Sequence, residues 1–105
     1  MTRIATALTE IDELEKDTVQ FQFATALGSA TISSIVSVVS EVVVGYDAAP
    51  SGIFNGAAST STTNVNQPVK GVAGQAGTMY NLRCTILDST GRQLVAAGYL
   101  PVVRL

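Results

Sequence analysis

What this 105-residue chain lacks limits its chemistry before anything else does. It has no histidine, and Cys84 is its single cysteine. The Ser/His and Cys/His pairs that activate a nucleophile cannot be built. Neither can a Cys/His zinc site or an internal disulfide. A reactive thiol needs exposure and basic neighbours. Cys84 sits instead in a strand-like run, on its apolar face, and reads as a small buried hydrophobe. The acids crowd into "TEIDELEKDT", as Glu10, Asp12, Glu13, Glu15 and Asp17. They lack the glycine and ligand spacing of a calcium loop and read as a solvated acidic stretch. A glycosidase pair of carboxylates needs a cleft, and a chain this short has little room for one beside its core. Ser33, Ser34, Ser37 and Ser40 read as polar strand positions. Gly71, Gly74 and Gly77 match neither a P-loop nor a dinucleotide fingerprint, and Gly77 serves as a turn. No catalytic residue, metal ligand or cofactor site is expected, and the chain is not expected to be an enzyme.

Hydrophobic residues make up 47% of the chain and charged residues 13%, with a formal net charge of −2. A surface so poor in charge tends to associate, which points to a homo-oligomer or to packing against other proteins. The basic residues Arg3, Lys16, Lys70, Arg83, Arg92 and Arg104 are scattered and give no footprint for nucleic acid. The most apolar run, "IVSVVSEVVVGY", is interrupted by Ser37, Ser40 and Glu41 and is too short to span a bilayer. Residues 1–16 turn acidic before an export signal could form. Neither a nucleic acid nor a membrane is an expected partner.

The elements that must position these residues are mostly strands. In residues 1–16, Ile4, Leu8, Ile11 and Leu14 recur at helical spacing, so this segment reads either as a short helix or as an extended arm. From Thr18 onward strand signals dominate. "TVQFQFA" alternates, with Val19, Phe21 and Phe23 on one face and Gln20 and Gln22 on the other. "ATISSIVSVVSEVVVGY" is too long for one ordinary strand and predicts two strands, or one bent strand, with the break near Ser40-Glu41. Pro68 predicts an edge strand or a strand end. "GVAGQAG" reads as a flexible connection. In "TMYNLRCTILD", Tyr80, Leu82, Cys84 and Ile86 share one face. "DSTGR" then turns the chain into a last strand. The expected fold is an all-β antiparallel sandwich over residues 18–105, preceded by an acidic arm or short helix over residues 1–17.

The run from Gly77 to Ile86, closed by Asp88-Ser89-Thr90-Gly91-Arg92, resembles the second half of an immunoglobulin-like domain. In that resemblance Tyr80 packs a corner and Leu82, Cys84 and Ile86 fill the core. A wider ordered set covers Glu13 to Leu105. It comprises the aromatic first strand, the Leu27-to-Ile32 step, Ser51-Gly52-Ile53, a Ser/Thr-rich strand and the G-T-x-Y strand with its glycine turn. This set is similar to small tailed-bacteriophage virion proteins of the fiber–tail adaptor type. The chain has no tryptophan in its first strand, where that family often carries one. The resemblance implies a structural virion protein, assembled in the host cytoplasm, whose partners are other tail, fiber or neck components. The alternatives are a capsid decoration or neck protein, and a carbohydrate- or surface-binding module using Tyr46, Phe54 or Tyr99. The residues expected to meet partners are Ile4, Leu8, Ile11, Leu14 and Val43. Val43 is included because Val42, Val43 and Val44 cannot all face one core.

Overall fold

The computed structural model describes residues 2–4 and 10–105, with side chains from residue 10 onward. Its described strands form two four-stranded sheets. One sheet holds, side by side, β1 (Thr2–Ile4), β3 (Lys16–Gln22), β6 (Asn64–Lys70) and β5 (Ser59–Ser61). The other holds β2 (Ile11–Asp12), β8 (Gln93–Val103), β7 (Met79–Asp88) and β4 (Ile32–Val44). The β1–β3 and β2–β8 pairs are parallel and the others antiparallel. The chain is an all-β sandwich, as its alternation predicts.

Period-two patterning sets the inner faces. Val19, Phe21 and Phe23 are buried from one side, and so are Val65 and Val69 of β6. Tyr80, Leu82, Cys84 and Ile86 are buried from the other, none more than 1% exposed. Leu100 and Val102 of β8 extend the second face. Leu27, from the one-turn helix α1 (Ala24–Leu27), and Ile53, from the 3-10 turn Pro50–Ile53, close the ends of the core.

Where it is described, the acidic leader is extended rather than helical, and it is paired to the sheets. Thr2, Arg3 and Ile4 pair with Thr18, Val19 and Gln20, and Ile11 and Asp12 pair with Val102 and Val103. β3 begins at Lys16, ahead of the boundary expected at residue 18. Ile11, expected to face a partner, is fully buried and belongs to the core. Isoleucines at helical spacing look like a docking face only while the backbone is a helix. Added as a strand beside β8, Ile11 turns into the seam instead. Leu8 lies outside the described residues.

β4 also departs from expectation. It is one strand of thirteen residues, and Ser40 and Glu41 pair in register with Leu82 and Asn81. The irregularities lie elsewhere, between Ile32 and Ser34, Ile35 and Ser37, and Val42 and Val44. Each inserts one residue, as a bulge does, which turns the strand and breaks its alternation. Beside this strand lies the 3-10 turn, where the Ser40 hydroxyl donates to the Pro50 carbonyl at 2.6 Å.

Pro68 sits inside β6, opposite Thr18, at no cost to the ladder. Its carbonyl accepts the Asn55 N–H at 2.9 Å, so its backbone polar groups point away from β3. β5 has ended there, since it pairs only with Asn64 to Asn66.

Gly71 lies in the loop read from sequence as flexible, yet it is a point of close packing. Its N–H donates to the Glu15 carbonyl at 2.7 Å. A methyl group on it would run into the Asp12 carbonyl oxygen and lie 2.6 Å from the Glu13 Cα. Both obstacles are backbone and cannot swing aside. Gly71→Ala is therefore expected to lower unfolding free energy by about 2–3 kcal/mol in a denaturant titration. The same change at Gly52, which has open space around it, is expected to change it by less than about 1 kcal/mol.

Candidate interaction surface

Most of the titratable groups that could do chemistry are bound up in the scaffold. Asp88 continues the row of Tyr80, Leu82, Cys84 and Ile86 and is buried with it. Its Oδ1 accepts the Thr90 N–H, the Thr90 hydroxyl and the Arg92 N–H, at 2.8 to 2.9 Å. Its Oδ2 accepts the Arg92 Nε at 2.8 Å. Burial alone would raise its pKa. The hydrogen bonds from Thr90 and Arg92 outweigh that and hold the carboxyl at about 2. Arg92 also reaches the Leu27 carbonyl at the end of α1, at 3.4 Å. The hairpin "DSTGR" thus ties a turn to the core.

The acidic leader is used in the same way. Asp12 accepts the Leu105 N–H and the Leu14 N–H, each at 2.9 Å, and these two bonds lower its pKa. Glu13 accepts the Gly74 N–H at 3.1 Å and Nε and Nη2 of Arg104, each at 3.0 Å. Within the stretch expected to be solvated, Asp12 and Glu13 thus clasp the leader to the end of the last strand and to the Gly74 loop. Among the described residues no group of acids, cysteine or histidine could hold a metal ion.

Two more groups are held by burial. The Tyr80 hydroxyl donates to Asp47 at 2.6 Å, and burial and that carboxylate raise the phenol's pKa well above its ordinary value. Burial pushes the Cys84 thiol up to about 11. A shallow cleft of about 440 Å³ lies between the leader and the Gly71 loop, lined in part by Leu14, Lys16, Lys70 and Val72. No helix among the described residues is long and apolar enough to cross a membrane.

The two outer faces differ in kind. On the first sheet, Gln20 and Gln22 stand opposite Asn66 and Asn64. Gln20 accepts from Gln22 at 3.1 Å and donates to Asn66 at 3.3 Å, so this face is an amide ladder. On the second sheet the outward positions mix polar residues, Ser34 and Ser37 of β4 among them, with large exposed apolar ones. Met79, Thr85 and Leu87 of β7 stand opposite Pro101, Val95 and Gln93 of β8, with Asn81 opposite Tyr99 and Arg83 opposite Ala97. Val39 of β4 stands on the far side of Arg83, and Val44 beyond Met79. Val36, Val39, Val43, Val44, Val95 and Tyr99 are each about half exposed. Its outward charges are Arg83 and Glu41. Glu41 accepts from Asn81 at 3.3 Å.

Of the residues expected to meet partners, the structure brings one to this face. Val43 is the extra residue of the last irregularity in β4 and is exposed. Leu14 is 79% exposed, but at the turn between β2 and β3, at the cleft. Ile11 is in the core, and Ile4 is described only as a backbone position of β1. Tyr80, Leu82, Cys84 and Ile86 lie in the dry row assigned to them. Of the aromatics weighed for sugar stacking, Tyr46 and Tyr99 are exposed, whereas Phe54 packs against the core beside Val69. The sequence reading missed Val36, Val39 and Val95, and it named Tyr99 only as an aromatic for stacking a sugar. The available signal was a strand apolar on both faces, "QLVAAGYLPVV", which a sheet with one wet side does not require.

Two measurements follow. The folded pKa of Asp88 is depressed below the unfolded value of about 3.9. Its contribution is therefore complete above about pH 4 and is lost as pH falls toward 2. Asp88→Asn is expected to be less stable than the parent at pH 7, with the gap closing between pH 4 and 2 in denaturant midpoints. Cys84 is expected to resist a thiol reagent at pH 8 in the native chain and to react fully once unfolded. Compared with family models, curated proteins and solved structures, the chain matches none.

Proposed function

We propose that this chain is a non-enzymatic structural protein of a tailed-bacteriophage virion, an immunoglobulin-like block that joins tail and fiber components by protein–protein contact. The observation that carries the assembly part of this reading is the set of large exposed apolar residues on the outer face of β8, β7 and β4, against the amide ladder on the opposite side. A protein working alone in water gains nothing from seven large exposed hydrophobics on or beside one sheet: Val36, Val39, Val43, Val44, Tyr46, Val95 and Tyr99.

The immunoglobulin-like part is supported by strand order. β1-β3-β6-β5 and β8-β7-β4 follow the ABED and GFC orders of that fold, with β2 added beside β8. Tyr80 near the start of β7 occupies the place of the corner tyrosine, although its hydroxyl binds the Asp47 side chain. The virion part rests on the ordered resemblance through Ser51-Gly52-Ile53 and the Gly77–Arg92 strand and turn.

Removing residues 1–16 is a poor test, because it strips β1 and β2 from both sheets. The better test leaves the core intact. Mass spectrometry of purified particles of a phage encoding this chain is expected to find it in stoichiometric amount. Particles grown with Tyr99→Asp in its place are expected to contain at least tenfold less of a variant that still folds. Wild-type particles without the chain would end the virion reading.

A further inference from the structure

The outer face of β8, β7 and β4 has one feature that an indifferent hydrophobic surface would not have. Arg83 stands near its middle, between Val39 and Ala97, exposed and without a hydrogen bond or ion pair among the described residues. The face's acid, Glu41, is placed opposite Asn81, diagonally across from Arg83. Diagonal neighbours in an antiparallel pair lie about 7–8 Å apart, within reach of long side chains, yet Glu41 takes its hydrogen bond from Asn81 and no ion pair joins it to Arg83. The face therefore carries one positive and one negative charge, close together and unpaired with each other.

Such a surface is complementary to itself. A two-fold axis in the plane of the face, passing midway between the two residues and perpendicular to the line joining them, exchanges their positions. It places each arginine over the other copy's glutamate, twice, and closes after two subunits. The apolar residues around them, Val39, Val95, Ala97 and Tyr99, then exclude water from the two ion pairs. Two charges in an apolar setting also disfavour partners that cannot supply both opposites. Three strands about ten residues long span roughly 14 by 33 Å. That plan area is a little over half of the roughly 800 Å² per partner of a standard interface, the size of a weak, reversible dimer. The edge of β4 is a less suitable contact, because three register irregularities and the neighbouring 3-10 turn disturb it.

We infer that a second copy of this chain packs on this face in a two-fold arrangement, Arg83 of each copy meeting Glu41 of the other. This rests on the reading above that the face is an assembly surface, and it names the occupant.

Sedimentation velocity on the full chain over a range of concentrations tests it, with circular dichroism showing that each variant is folded. The wild type is expected to dimerise. Arg83→Glu and Glu41→Arg, each alone, are expected to weaken the dimer by roughly tenfold or more, since like charges then meet twice. The double exchange, Arg83→Glu with Glu41→Arg, is expected to restore it to within about threefold. A folded wild type that stays monomeric at about 1 mM overturns the inference. So does a dimer that neither single change weakens, or one that the double exchange fails to restore. None of these outcomes touches the virion reading, which is decided by whether the chain is present in purified particles.

Discussion

Two sheets held at one separation by side chains alone, with no covalent staple, form the constraint on which the rest of this molecule depends. Cys84 has no partner to bond with, and it serves the seam as bulk. Tyr80, Leu82, Cys84 and Ile86 meet an opposing inner face that carries Phe21, Phe23, Val65 and Val69. Each large apolar side chain taken out of water contributes about 1.5–3 kcal/mol. A seam that earns its stability this way cannot tolerate an unpaired polar group. The polar groups that enter it are accordingly bonded. Asp88 is surrounded by donors from Thr90 and Arg92, the Tyr80 hydroxyl reaches Asp47, and the Gln67 amide donates to the Gly56 and Pro68 carbonyls.

How much of this could be read beforehand depended on whether local pattern or distant contact decides each element. From Val19 to Gln22 in β3 and from Tyr80 to Ile86 in β7 apolar and polar residues alternate, and the inner faces are what that alternation implies. β4 defeats the same rule. Inserted residues shift its phase three times, and a period-two reading then places the break at the only acid. β1, β2 and β5 are two or three residues long, too short to carry any period, and exist because a longer strand offers them an edge. Acids that look like a soluble tail are recruited by backbone N–H groups and by Arg104, which only the fold brings near. Gly71 looked like slack in the chain. Its missing side chain instead lets two backbone segments touch.

The same distinction separates the interaction surface from the core. The row at Tyr80 is recognisable because its partners alternate with polar residues. The face opposite it carries large apolar residues at positions that a one-sided sheet would give to solvent, and it is assembled from the β7–β8 hairpin and from β4, which is distant in sequence. Val39, Arg83 and Tyr99 become neighbours only once β4, β7 and β8 are in register. Its charges follow the same logic. Arg83 and Glu41 are unremarkable in the sequence, and their relation to one another is a property of the sheet.

The clasp of the leader on the last strand has a consequence for how the protein comes into being. Glu13 and the arginine that holds it are 91 residues apart in the sequence. At ordinary rates of translation, roughly 5–20 residues per second, several seconds pass between the synthesis of one and the other. Throughout that interval Ile11 has no β8 to lie against. The pairing of β2 with β8 thus waits for β8, and it is a long-range closure of the kind that forms slowly.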